Sequence, residues 1–234
     1  KARGEVNGVE VVAVGAEEMR ELEPRANTHF AQALFIPVTA VVDPKAVAKA
    51  VLGEVLALGG QVCYQQEVLQ VDATAGIVKT KTASYGAARL FNVAGLYADV
   101  VAKHAGLETR YSFQPFKGKY WKHRDPSFRM QRLVYPIPDL SLPFLGVHTA
   151  HNYNGEVYFG PSSTPVIGRE NYQGLHGIQW RDGVSLSASL VWKLLRNTNG
   201  LRQLAMREAK LLRLSGVCNE IGRLIHGVTA SDLT

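Results

Sequence analysis

The chain has 234 residues, a length typical of one large domain or two small ones. Hydrophobic residues make up 46% of it, which predicts a globular protein with a real core and excludes a disordered chain. No run of about 18 or more apolar residues occurs, so we expect no transmembrane segment. The charged start of the chain does not resemble a secretory signal. The net charge of +6 is modest and assigns no partner by itself.

The first half of the chain alternates between strand-like and helical patterns. Asp43 followed by Pro44 predicts a helix start, because Asp caps free N–H groups and Pro fits the first turn. Apolar residues then follow at helical spacing until Gly59 and Gly60. The other elements predicted in this half are strands at 9–14, 30–37, 61–71, 77–82 and 89–93, and helices at 16–22 and 96–104.

The second half changes character near residue 111. Residues 111–168 are rich in aromatic residues, proline and glycine, which predicts an antiparallel sheet with long connections. From Ser185 onward the pattern is helical, with further helices predicted at 201–214 and 217–225. The fold class indicated is therefore mixed α/β with a helical C-terminal tail.

The two cysteines, Cys63 and Cys218, are far apart in sequence and match no metal or redox spacing. We interpret both as buried structural thiols, so the sequence predicts no metal site on them. Two isolated thiols suit a reducing compartment, and we expect a cytoplasmic protein.

Part of the positive charge is concentrated in one aromatic-rich segment. This pattern is compatible with a nucleic-acid surface, with a solvated face, or with a positive funnel for a small anionic substrate. Composition does not choose among these three. The segment contains Lys117, Lys119, Lys122, His123, Arg124, Arg129 and Arg132, interleaved with Phe116, Tyr120, Trp121 and Phe128.

A nucleotide site is suggested where the predicted strand 89–93 runs into Ala94 and Gly95. Small residues at the end of a buried strand let the backbone approach a pyrophosphate or ribose closely. Such strand-to-helix turns are common, however, and this one alone does not identify a ligand.

Several segments, in matching order, resemble the L-2-hydroxyglutarate oxidase/dehydrogenase family of D-amino-acid-oxidase-like flavoproteins. The segment 92–99, Asn-Val-Ala-Gly-Leu-Tyr-Ala-Asp, is similar to that family's N-A-A-G-L-Y-A-D. The run 135–148 resembles Y-P-x-P-D followed by P-F-L-G-V-H, and so many rigid positions rarely recur by chance. Further similar segments are Leu22-Glu23-Pro24, 115–120, Gly160-Pro161 and 169–172.

The resemblance implies a Rossmann-like FAD domain interleaved with a mixed, antiparallel-sheet substrate domain. We predict that 1–29 and 111–234 form the substrate domain and that 30–110 is a remnant of the FAD domain. The resemblance also implies hydride transfer from C2 of a 2-hydroxy acid to flavin. It makes His148 the candidate catalytic residue, since imidazole titrates near working pH. The other candidates are Lys117, Tyr120, Tyr135 and Arg169 for the substrate, and Val68, Ala94 and Gly95 for the cofactor.

The departures from the family pattern are as informative as the matches. No G-x-G-x-x-G motif occurs, because Val14-Gly15-Ala16-Glu17 lacks the second and third glycines. The family's closing glycine-rich segment is also missing from the sequence, so we expect a truncated flavin enzyme that is inactive as a lone chain. Lys117 stands where the family has Arg and loses the bidentate fork. Lys119 replaces a Glu and Ser162 replaces an Asn, so the resemblance predicts the fold more closely than the substrate.

Three alternatives to an incomplete 2-hydroxy-acid oxidoreductase stay open. The chain could be a non-catalytic binding module for a small anionic dicarboxylate, or a fragment of a glycine- or sarcosine-oxidase-like amine oxidase. It could also complete its flavin site with a second copy or a complementing chain, in which case an exposed apolar patch is expected. A nucleic-acid partner is not expected, because the basic segment lies inside the matched substrate segment.

Overall fold

The computed structural model describes residues 2–108, 111, 113–138, 145–174, 176–178 and 180–234. It divides the chain into two compact units. The first unit consists of Lys1–Ala48, Lys117–Thr164 and Lys193–Thr234, and the second of Lys49–Phe116 and Pro165–Trp192.

The secondary structure is mixed, with short strands and helices distributed along the whole chain. The helices are α1 (Ala2–Val6), α2 (Ala16–Leu22), α3 (Pro44–Ala57), α4 (Ala98–His104), α5 (Trp180–Leu195), α6 (Leu201–Leu211) and α7 (Leu214–Leu224). The strands are β1 (Val12–Gly15), β2 (Gln32–Phe35), β3 (Val68–Asp72), β4 (Ile77–Thr80), β5 (Ser84–Gly86), β6 (Phe116–Lys122), β7 (His148–His151) and β8 (Val157–Pro165).

The first unit is organised by a three-stranded sheet of order β6-β8-β7. Strands β7 and β8 are antiparallel and place His148 directly opposite Gly160. Buried residues of this sheet, including Phe159, share one hydrophobic core with α7. Helix α7 contributes Val217, Ile221 and Leu224, whose spacing of about one helical turn puts them on one face.

The N-terminal segment of the first unit docks on the end of α7. Strands β1 and β2 form an antiparallel pair, with Val12 opposite Phe35. Helix α2 follows β1 directly, and the N–H of Gly15 donates to the Glu18 carboxylate at 2.8 Å. Beyond α2, Ala26 forms a bridge with Ile225, and the N–H of Asn27 donates to the carbonyl of Leu224 at 2.7 Å.

The second unit contains the antiparallel sheet β3-β4-β5. The turn between β3 and β4 is closed by Asp72, whose carboxylate accepts the N–H groups of Thr74 and Ala75 at 3.1 and 2.8 Å. Helix α4 packs against β3. Among the described residues of this unit, the buried hydrophobic side chains are Val71, Val166 and Leu186.

The predicted fold class is confirmed, and so are the main elements. Helix α2 has the predicted bounds, the helix predicted after Asp43 is α3, and the hairpin predicted around residues 72–76 is β3-β4. The antiparallel sheet predicted in the aromatic-rich segment is β6-β8-β7, and α5, α6 and α7 form the helical tail.

Two structural predictions are wrong. Residues 89–93 form no strand, and Phe91 and Val93 are 78% and 89% exposed, because no strand among the described residues pairs with them. Cys63 is exposed rather than buried, and Cys218 is only partly buried. Residues 139–144, including Asp139 and the Leu142-Pro143-Phe144 part of the family-like run, lie outside the described residues.

Candidate functional site

The imidazole of His148 lies at the start of β7, with only 6% of the residue exposed. Its Nδ1 is 2.9 Å from the carbonyl oxygen of Gly146, and since a carbonyl only accepts, Nδ1 carries the proton. Burial lowers the pKa of His148, while the hydrogen bond to Gly146 opposes this in part. The ring is therefore neutral near pH 7, and Nε2 holds the lone pair that a base requires.

Two tyrosines enclose this imidazole. The ring of Tyr135 stacks on it, with centroids 4.4 Å apart and planes at 20°. The ring of Tyr120, from β6, meets it edge to face at 6.2 Å. Burial raises the pKa of Tyr120, and the nearby Tyr135 adds to this effect, so the hydroxyl of Tyr120 stays a hydrogen-bond donor.

Gly160 makes room for this arrangement. A Cβ at this position would lie 2.9 Å from the Tyr120 ring and 2.8 Å from the carbonyl oxygen of Lys119. Gly160 lies opposite His148 in the β7-β8 register, so a side chain here would displace the Tyr120 ring that contacts the imidazole. The sequence marked Gly160 only as part of a Gly-Pro resemblance, and no local signal indicated its steric role.

Lys117 lies on β6, and successive side chains of a strand point to opposite faces. This alternation puts Lys117 on the face of Trp121 and not on that of Tyr120. Lys119 shares the face of Trp121, with its Nζ 4.8 Å from the ring centroid. The structure therefore brings Tyr120, Tyr135 and His148 together. The substrate role of Lys117, which lies on the other face of β6, stays a prediction.

Arg169 belongs to the second unit, where its guanidinium is bound internally. It forms a bidentate pair with Asp99, at 2.7 and 2.8 Å, and also donates to the carbonyl of Leu96. Its guanidinium lies 5.6 Å from the ring centroid of Tyr97 and 4.8 Å from that of Phe113. These contacts fix the segment after Gly95, and a substrate role for Arg169 likewise stays a prediction.

Asp99 is held ionised by this pair. Partial burial alone would raise the pKa of Asp99, but hydrogen bonding and charge from Arg169 outweigh it and leave that pKa below its ordinary value. Asp99 is the last residue of the family-like segment 92–99, so the pair links that segment to the family-like segment 169–172.

The three candidate cofactor residues lie together in the second unit. Val68 and Ala94 line an apolar pocket of about 250 Å³, together with Val71, Val78, Leu90, Phe91, Asn92, Val93 and Val101. Gly95 follows at a φ of +53°, a conformation that favours glycine, and the space where its Cβ would stand is open. The side chain of Asn92 shapes this turn by donating to the carbonyl of Ala98 at 2.7 Å.

This pocket fits one end of a dinucleotide. It is smaller than the roughly 300–1,000 Å³ typical of a site for a whole drug-sized ligand, so it suits a single ring system such as adenine. Apolar walls from Val68 and Val71 suit the faces of such a ring, and the open backbone at Gly95 allows close approach of a ribose or phosphate. The residues present are thus compatible with the adenosine part of FAD.

The basic segment of the sequence is not a continuous charged surface. Trp121, His123 and Phe128 are buried, and His123 stacks on Phe128 with centroids 3.9 Å apart. Lys122 pairs with Glu156. Two of the four interleaved aromatic residues, Trp121 and Phe128, are therefore part of the core of the first unit. Within the described ranges, no helix is long and apolar enough to cross a membrane, and no group of three or more metal-ligating side chains occurs.

The family described as FAD dependent oxidoreductase matches residues 1–209 of this chain. An L-2-hydroxyglutarate dehydrogenase from Salmonella houtenae is 30% identical over 238 residues, covering 99% of this chain and 55% of that protein. One from Escherichia coli O17:K52:H18 is 34% identical over 175 residues, covering 73% of this chain and 41% of that protein. The chain thus spans about half the length of these relatives.

Solved structures share the fold. The dithionite reduced L-alpha-glycerophosphate oxidase from Mycoplasma pneumoniae with FAD bound superposes with a TM-score of 0.67 at 16% identity, covering 100% of this chain and 54% of that one. The L-proline dehydrogenase from P. horikoshii gives a TM-score of 0.54 at 16% identity, covering 81% and 50%. At such identities the likeness concerns the fold alone.

Proposed function

This chain belongs to the FAD dependent oxidoreductase family, and we propose that it supplies the substrate-binding part and the adenine end of the flavin site of a 2-hydroxy-acid oxidoreductase. The proposed reaction converts an L-2-hydroxyglutarate-like hydroxy acid to its 2-oxo acid. Similarity to two bacterial L-2-hydroxyglutarate dehydrogenases supports this substrate class.

The chemistry requires a hydride acceptor for C2 and a base for the hydroxyl proton. FAD, when bound, accepts the hydride. We propose that Nε2 of His148 accepts the hydroxyl proton of the substrate. Burial lowers the pKa of this imidazole, and its other nitrogen, Nδ1, donates to the Gly146 carbonyl. The buried imidazole, with Nδ1 held on the Gly146 carbonyl and Nε2 left as the acceptor, is the observation that carries the proposal.

Substrate binding is assigned first to the two tyrosines around that imidazole. Tyr120 and Tyr135 contact the His148 ring, and their hydroxyls would donate hydrogen bonds to a carboxylate. Lys117 and Arg169 are proposed to contribute positive charge, although Arg169 already pairs with Asp99. Val68, Ala94 and Gly95 are proposed to hold the adenosine part of FAD.

We further propose that the flavin site is completed by additional polypeptide packed on the second unit. Its residues Val51, Leu56, Leu90, Phe91 and Val93 are between 50% and 89% exposed. Large exposed apolar side chains that cluster along two segments mark interaction surfaces. Residues 89–93 also lie outside every strand of the structure, so their backbone can pair with a further strand.

Flavin content is the first test of the proposal. The purified chain is titrated with FAD, and bound flavin is measured by visible absorbance and by its release on denaturation. Stoichiometric binding with oxidation of L-2-hydroxyglutarate by the chain alone supports the proposed reaction but overturns the proposal that additional polypeptide completes the flavin site. FAD that binds only when a complementing polypeptide is added supports the completed site. Binding of 2-oxoglutarate with no FAD under any condition favours the non-catalytic module instead.

The role of His148 is tested in the flavin-loaded protein. His148→Asn should abolish formation of the 2-oxo acid while FAD binding is retained. The matched control is His151→Asn, which removes a second histidine from the same strand, β7. Equal activity of the His148 variant and the control contradicts the assignment of the base.

A further inference from the structure

Glu23 is a buried carboxylate that follows the last residue of α2. Only 3% of the residue is exposed. Burying a carboxylate is costly unless hydrogen bonds compensate for the lost water. The surroundings of Glu23 must therefore supply hydrogen-bond donors to its carboxylate. The segments that carry these donors are the ones that Glu23 holds in place.

The donors are backbone N–H groups. Oε2 of Glu23 accepts from the N–H groups of Gln131 and Arg132, at 2.6 and 2.9 Å. Oε1 accepts from the N–H of Arg25 at 3.0 Å. Hydrogen bonds to an ionised acceptor are about twice as strong as those between neutral groups. One carboxylate thus fixes the start of a segment more than 100 residues away in sequence.

The other end of that segment is fixed to β7. The N–H of Val134 donates to Oγ1 of Thr149 at 2.7 Å, and the N–H of Thr149 donates to the carbonyl of Val134 at 3.0 Å. Thr149 is 1% exposed and is the neighbour of His148 on the strand. Residues 131–134 are therefore held at both ends, and Tyr135 follows immediately.

We propose that Glu23 is a positioning residue for His148, because it anchors the segment 131–134 that carries the Tyr135 ring onto the imidazole. The inference rests on the proposed function, in which His148 takes the substrate proton. Tyr135 is 47% exposed, so the cover that its ring gives to the imidazole depends on the path of this backbone. Glutamine has one acceptor oxygen instead of two, because the NH2 of its amide group only donates and cannot accept from a backbone N–H.

The test compares Glu23→Gln with Glu156→Gln in the full chain. Glu156 is a matched control, since its carboxylate accepts hydrogen bonds from Lys122, Asn152 and Tyr158 in the same unit, and none of these partners belongs to 131–135. The readouts are thermal unfolding, the pH titration of the His148 imidazole by ¹⁵N NMR, and the nuclear Overhauser effects between the Tyr135 and His148 rings. None of these measurements needs flavin or turnover. They therefore test the role of Glu23 even if the proposed catalytic function of His148 is wrong.

Both variants should unfold at lower temperature. Only Glu23→Gln should move the His148 titration midpoint upward, toward the ordinary imidazole pKa of about 6.5, and weaken the ring-to-ring effects. A Glu23→Gln protein that is less stable but has unchanged His148 titration overturns the proposal, because Glu23 would then be a structural anchor only. If Glu23→Gln does not fold, Glu23→Asp keeps the charge and shortens its reach. In Glu23→Asp we expect the same upward shift of the His148 titration midpoint. If the folded variant shows no shift, the proposal is overturned.

Discussion

The ring of Tyr135 lies nearly parallel to the imidazole of His148, with 4.4 Å between the centroids. Because burial lowers the pKa of His148, removal of this ring should let water in and raise that pKa. We expect Tyr135→Ala to shift the His148 titration upward, while Tyr135→Phe keeps the ring and leaves the titration unchanged. NMR titration of both variants checks this, and an equal shift in the two would assign the effect to the hydroxyl instead.

Substitution of Gly160 should distort the aromatic cluster. The Cβ of Gly160→Ala would lie 2.8 Å from the Lys119 carbonyl oxygen and 2.9 Å from the Tyr120 ring, so strand or ring must move. We expect a loss of about 1–3 kcal/mol in the free energy of unfolding. Gly222→Ala is the control in the same unit, because no atom lies within 4 Å of its Cβ, and a helical Ala should stabilise by roughly 0.5–1 kcal/mol. Urea unfolding of both variants measures the contrast.

The pair between Asp99 and Arg169 should contribute to stability, because Arg169 is 9% exposed and cannot recover water when its partner is removed. Removing one partner of a fully buried pair costs about 3–5 kcal/mol, and since Asp99 is 18% exposed we expect roughly 2–3 kcal/mol for Asp99→Asn. The control is Glu67→Gln, which breaks the exposed pair with Lys81 in the same unit and should leave the unfolding curve unchanged. If the two variants lose similar free energy of unfolding, burial is not what makes the Asp99–Arg169 pair stabilising.

Acid should weaken the first unit through Glu156. Hydrogen bonds from Lys122, then from Tyr158 and Asn152, lower the pKa of Glu156 to about 2 from an ordinary value of 4.5. A carboxyl whose pKa is lower in the folded state stabilises the protein above its unfolded pKa and loses this contribution as pH falls. The thermal midpoint of the wild-type chain should therefore drop between about pH 4.5 and 2 more steeply than that of Glu156→Gln. If the thermal midpoints of the two proteins fall in parallel with pH, Glu156 does not contribute to the acid sensitivity.

Local chemistry explains which elements the sequence predicted. The Asp43-Pro44 start and the turn at 72–76 depend on capping and turn residues that act within a few positions, and both occur in the structure. The strand predicted at 89–93 depended on neighbours that a local pattern does not contain, and Phe91 is exposed where cover was expected. The same limit applies to Cys63, which was expected to be buried as an isolated structural thiol and is exposed.

The candidate site shows the same division. The sequence indicated Tyr120, Tyr135 and His148 as separate candidates through a family resemblance, and the structure brings these three rings together. Glu23 was noticed only as part of the Leu-Glu-Pro segment, although its carboxylate fixes residues 131 and 132. No spacing rule relates positions more than 100 residues apart, so this contact could not be predicted from either segment.

By itself, the sequence determined the mixed α/β class, the family and the FAD cofactor that the family implies, because these depend on local patterns and on runs of rigid residues. The tertiary structure alone decided which side chains meet. It enclosed His148 between two tyrosines, bound Arg169 to Asp99, and gathered Val68 and Ala94 into one apolar pocket. The physical reason is that burial, pKa and ion pairing depend on distances through space, and the chain sets these distances only when it folds.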